Sequence, residues 1–112
     1  MEWKIKYYNE SLQKEILNLP LGIQARYIHL TERMKLYGAN LGMPHTKPIK
    51  EGLLELRMKS KEGIGRVFYC TLINKKIIML HSIIKKTDKI PSKEIKKAIS
   101  RMKEVKQNNV NP

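Results

Sequence analysis

The chain has 112 residues, enough for one domain with a single core and too few for two. With 41% hydrophobic and 29% charged residues it is not a disordered chain, and no apolar run approaches the roughly 20 residues of a membrane span. A net charge of +13 and a pI near 10.0 direct attention to anionic partners: nucleic acid, an anionic membrane or an acidic protein.

Residues 2–8, EWKIKYY, alternate, with Trp3, Ile5 and Tyr7 on one side, which predicts a short amphipathic strand. Asn9 offers an N-cap and Glu10 a favourable first-turn charge. Leu12, Ile16 and Leu19 then follow at helical spacing until Pro20. A second helix is expected over residues 21–37, with Ile23, Tyr27, Leu30, Met34 and Tyr37 as its apolar stripe and Gly38 or Gly42 at its end. The two helices read as a hairpin laid over a sheet. Residues 38–51 hold two Gly and two Pro and read as an irregular connection carrying His45, Lys47 and Lys50.

Residues 52–86 read as three consecutive strands. GLLELRMKS alternates, a turn at Ser60–Gly63 leads into GIGRVFYCTLIN, and Asn74-Lys75 is short enough for a tight hairpin into KKIIMLHSIIKK. Ile77 to Ile84 is almost wholly apolar, the pattern of the most buried strand. Pro91 and Ser92 open a last helix with Ile95, Ala98, Ile99, Met102 and Val105 as its apolar stripe and Lys93, Lys96, Lys97, Arg101 and Lys103 as its basic face. One domain is expected over residues 1–106, with 107–112 as a frayed tail. The order β-α-α-β-β-β-α, with hairpin and sheet segregated, is an α+β fold: an antiparallel meander with the first strand at its edge.

No metal site is legible, because His29, His45 and His81 lie far apart without ligand spacing. No cofactor motif appears. Cys70, the single cysteine, sits in an apolar run as an inert core thiol, and neither a disulfide nor a secretion signal is present; both observations fit the cytoplasm. His81 lies among apolar residues and reads either as a satisfied core histidine or as a general acid or base.

The positive signal is the set Arg57, Arg66, Lys85 and Lys86, of which the arginines stand inside apolar strands. A mid-strand arginine must leave the core, pair with an acid or face a ligand. One reading is a structural ion pair, with Glu55 as the partner of Arg57. The other is a phosphate grip, because guanidinium forks hold phosphate bidentately and lysines add point charge. Tyr69 is placed either to stack on a base or to pack in the core. Such a grip suits RNA cleavage through the 2′-OH, which needs cations and proton carriers and no metal.

The run GLLELR, then GxGRVFY, then IxxLHxIIKKT, then IPxxEIxxAxxR resembles toxins of the RelE/ParE superfamily, and more narrowly the HigB-type, phage-derived toxin-like branch, over about residues 3–105. The resemblance implies a small antiparallel sheet with an N-terminal helical hairpin. It implies a toxin of a type II toxin–antitoxin module that cuts mRNA in the ribosomal A site. By motif position it makes Arg66 a phosphate and transition-state ligand, gives Arg57 a neighbouring role, and puts Lys85 and Lys86 at the family's basic positions after the penultimate strand. Lys47 and Lys50 stand as equivalents of its loop basics. The general base stays open among Glu55, His81 and Lys85, since no Tyr follows Tyr69 and no His follows His81. The implied partners are a helix-turn-helix, HigA-like antitoxin, the ribosome and mRNA, with DNA reached through the antitoxin and no membrane. Two alternatives are a ParE-like toxin that inhibits DNA gyrase without nuclease activity, and a basic nucleic-acid-binding module without chemistry.

Overall fold

The computed structural model describes residues 2–110. Its elements are β1 (Lys4–Tyr7), α1 (Glu10–Leu17), α2 (Leu21–Tyr37), β2 (Thr46–Lys50), β3 (Leu53–Ser60), β4 (Gly63–Leu72), β5 (Lys76–Lys85) and α3 (Ser92–Val110). The sheet order is β1-β5-β4-β3-β2; β1 runs parallel to β5 and every other pair is antiparallel. The α+β class, the helical hairpin, the meander and the edge position of the first strand are as the sequence predicts. β4 is the middle strand and is buried as fully as β5.

Two features differ: the parallel β1 makes the sheet mixed where an antiparallel one was expected, and β2 lies in the stretch read as an irregular connection. Pro48 hides it, because a proline cannot donate to a ladder. The strand tolerates Pro48 because it is an edge strand, and its register shifts between Pro48 and Lys50. Glu51 and Gly52, both at positive φ, close the tight turn into β3. At the other end α3 continues through Val110, so residues 107–110 belong to the helix. Residues 111–112 lie outside the described residues.

The sheet has two cores. On one face Leu12 and Ile16 of α1 and Ile23, Tyr27, Leu30 and Met34 of α2 pack on Leu56, Met58, Val67, Tyr69, Ile77 and Met79. On the other, Ala98, Ile99 and Met102 of α3 pack on Leu53, Phe68, Cys70, Ile78 and Leu80. Tyr37, assigned by spacing to the inner stripe of α2, is instead exposed at the helix end. Asn9 caps α1, its side chain accepting from the Leu12 N–H at 2.8 Å. α2 lacks a local side-chain cap and borrows one from the β3–β4 turn, where Glu62 Oε1 accepts from the Gly22 N–H at 2.8 Å.

Gly65 sets how closely α2 approaches β4. A Cβ there would lie 2.5 Å from Ile23 Cγ2 and 3.0 Å from the Met58 methyl, inside van der Waals contact. Gly65→Ala is therefore expected to destabilise the fold by about 1–3 kcal/mol. Urea unfolding of the variant, with an unchanged midpoint as the contrary result, checks this.

Candidate functional site

The face under α3 gathers the predicted basic residues through strand register. Arg57 stands opposite Arg66, Glu55 opposite Phe68, and Arg66 opposite Ile83. Lys47 on β2 stands opposite Glu55 and so shares the face. His81 reaches it by a bulge: Phe68 pairs with His81 and Tyr69 with Met79, leaving Leu80 extra. Uninterrupted alternation after Leu80 would have turned His81 toward the helical hairpin. Instead its ring stacks on Phe68, with centroids 6.2 Å apart.

Arg66 is 1% exposed and Glu55 2%. Arg66 Nε lies 2.9 Å from Glu55 Oε2 at an angle too poor for a hydrogen bond, and Nη1 has no hydrogen-bond partner. Nη2 donates to the Thr87 carbonyl at 2.9 Å and lies 3.7 Å from Asp88 Oδ1. Arg57 Nη2 donates to the same Asp88 oxygen at 2.6 Å. The acid expected to pair with Arg57 thus pairs with Arg66 instead. Glu55 and Arg57 stand side by side along one strand, whereas Arg66 reaches Glu55 diagonally from β4. Arg57 is answered by Asp88 from the segment between β5 and α3.

A cleft of about 300 Å³ opens over the free edge of β3, which exists because β2 begins only opposite Leu56. Arg26 and Leu30 of α2, Pro44, His45, Arg57, Lys59 and Asp88 line it. His45 is fixed there by its backbone: its N–H donates to the Gly42 carbonyl at 3.0 Å and its carbonyl accepts from the Arg57 N–H at 2.9 Å. Arg26, His45, Lys59 and Asp88 were outside the sequence-derived site. Asp88 carries one legible signal, being the chain's only aspartate and sitting inside the basic run KKTDK.

The remaining site residues divide. His81 faces a second cleft, about 180 Å³, at the far edge of the sheet with Asn9, Glu15, Lys97 and Arg101. There Arg101 donates to the Leu80 carbonyl at 2.8 Å and lies 4.5 Å from the Tyr8 ring centroid. His81 Nε2 is 2.7 Å from Glu94 Oε1, and that hydrogen bond, aided by the charges of His81, Lys93 and Lys85, holds the Glu94 carboxyl below its ordinary value. Lys85 stands opposite Ile64 at the end of β5, on the α3 face, and Lys86 is exposed beyond the strand. Lys50 borders α3 beside Lys96 and Lys103. Tyr69 has no surface from which to stack on a base: it is fully buried on the opposite face, its hydroxyl donating to the Ala39 carbonyl at 2.5 Å and its pKa raised by burial. Cys70 is buried and its thiol pKa is likewise raised. Among the described residues, no group of three or more His, Cys, Asp or Glu side chains could hold a metal ion.

A small, strongly basic α+β protein with a helical hairpin on one sheet face and arginines on the other has the form of a RelE-like toxin. The family model "Phage derived protein Gp49-like (DUF891)" matches residues 14–103, and the chain belongs to that family, one of RelE/ParE-like toxins. No curated protein matches the chain significantly.

Two outcomes follow from this geometry. Arg66→Ala strands the Glu55 carboxylate, and a loss of about 3–5 kcal/mol in urea unfolding is expected. Glu94 has a depressed pKa in the folded state, so its stabilisation is full above the unfolded value of about 4.3 and is lost as pH falls through the lower folded value. Glu94→Gln is expected to remove that part of the acid dependence, as stability measured between pH 6 and pH 2 would show.

Proposed function

We propose that the protein is the toxin of a HigB-type toxin–antitoxin module, an endoribonuclease that cuts mRNA on the translating ribosome by attack of the 2′-OH on the adjacent phosphate. The observation that carries this reading is the convergence of Arg57 and Arg66, from paired positions on β3 and β4, beside a cleft that adds Arg26, His45 and Lys59. In-line attack gathers negative charge on the nonbridging oxygens, which Arg57 and Arg66 oppose in this scheme. The 2′-OH proton needs an acceptor and the 5′-oxygen a donor. His45 shares the cleft with Arg57, whereas His81 is bonded to Glu94 at the other sheet edge. We therefore assign the proton-carrying role to His45 ahead of His81, Glu55 and Lys85. Lys47, Lys50, Lys85 and Lys86 supply charge for the flanking RNA backbone. Metal ions have no role in this scheme, and the work is done in the cytoplasm.

The partner under this reading is a helix-turn-helix antitoxin, through which alone the module meets DNA. The outer face of α2 supports a protein partner. Leu21, Ile28 and Leu36 recur along it, 79%, 53% and 62% exposed, on the side opposite the buried stripe. Arg26, Arg33 and Lys35 flank them, which suits an apolar helix with acidic borders.

One observation favours a second reading. Arg66 is already paired with Glu55 and Arg57 with Asp88, as a gyrase-inhibiting relative that uses these residues structurally would have it. Induced expression with 5′-end mapping of a reporter mRNA separates the two. Wild type is expected to cut at in-frame codons only while the message is translated, with a loss of about 100-fold in Arg57→Ala and at least about 100-fold in His45→Ala. Arrested growth with intact mRNA would sink the nuclease reading.

A further inference from the structure

Asp88 is 81% exposed, yet it is bonded to one arginine and close to a second. An exposed carboxylate has water on every side, and an exposed ion pair with arginine is worth little by itself. The position differs from an ordinary surface pair in three ways. The same oxygen bridges two guanidiniums that come from different strands. The preceding carbonyl, of Thr87, accepts from Arg66, so the segment sets two acceptor oxygens on the arginines. Arg66 Nη1 is buried with a donor unmet. Beside this point the cleft offers Arg26, His45 and Lys59.

We propose that Asp88 is an internal stand-in for a phosphodiester, holding Arg57 and Arg66 until a nucleic-acid phosphate displaces it. This rests on the reading of those arginines as a phosphate grip. The exchange is charge for charge: carboxylate and phosphodiester are both monoanions, so the buried Arg66–Glu55 pair keeps the same neighbouring charge in either state. Thr87 to Lys89 lie outside both the ladder and α3, so Asp88 can leave without breaking either element. Binding then depends on a competition, and the fully basic cleft appears only once the acid is displaced.

The test is titration of the purified protein with inorganic phosphate and with a cleavage-resistant 2′-deoxy dinucleotide, at low salt and neutral pH. Asp88→Asn is expected to bind both about fivefold more tightly than wild type, the factor corresponding to a strong exposed ion pair. Glu32→Gln removes the same charge from α2 and is expected to show no such gain; adding Arg57→Ala to Asp88→Asn should abolish the gain. Equal or weaker binding by Asp88→Asn, an equal gain in Glu32→Gln, or a gain that survives loss of Arg57 would each overturn the proposal. Should Asp88→Asn not fold, the wild-type carboxyl carbon of Asp88 gives the answer by NMR: release on phosphate addition shifts its signal, and an unmoved signal rejects the displacement. Tighter binding by Asp88→Asn with mRNA left intact in the expression assay would keep this inference and discard the nuclease. Cleavage without the gain would do the reverse.

Discussion

A guanidinium buried to 1% exposure is the constraint around which the α3 face is arranged. Taking Arg66 and Glu55 out of water costs several kcal/mol per ion, and their attraction returns this only with good geometry. Here the geometry is incomplete, since the ion pair is not aligned as a hydrogen bond and Nη1 is unmet. Local stability alone is a poor account of such an arrangement. The neighbouring Thr87 and Asp88 oxygens answer Nη2, which is where the phosphate grip proposed above would seat its ligand.

The rest of the chain serves to hold this pair in place. β3 and β4 present Arg57 and Arg66 in register, and the core under α3 fixes Phe68 next to them. The helical hairpin packs on the opposite face through Gly65 and Tyr69, leaving the arginine side to α3 and the segment before it. Because β2 starts late, the edge of β3 beyond the Arg57 N–H, which bonds the His45 carbonyl, remains open, and the cleft forms there. The fold thus puts charge on rigid strands and access at an unpaired edge.

Most of the architecture was legible from the residues. Alternation over EWKIKYY, the Pro20 break, and the spacing of Ile23, Tyr27, Leu30 and Met34 name their elements directly. The face shared by Arg57 and Arg66 was legible in part, because strand parity follows once a hairpin register is assumed. β2 was hidden by Pro48, whose tolerance depends on edge position. The placement of His81 was hidden by the bulge at Leu80, which reverses parity without any glycine to announce it.

By itself the sequence determined the α+β class, the helical hairpin, the meander and the strong positive charge. These depend on residue type and on periods of 3.6 and 2, which are local quantities. Tertiary structure alone decided which acid answers which arginine, that Tyr69 turns into the core, that His45 and not His81 shares the cleft of Arg57, and that Asp88 sits on both arginines. Those facts depend on register, a bulge and the path of a connecting segment. They are contacts between residues 11 to 31 positions apart, to which no local pattern in the chain is sensitive.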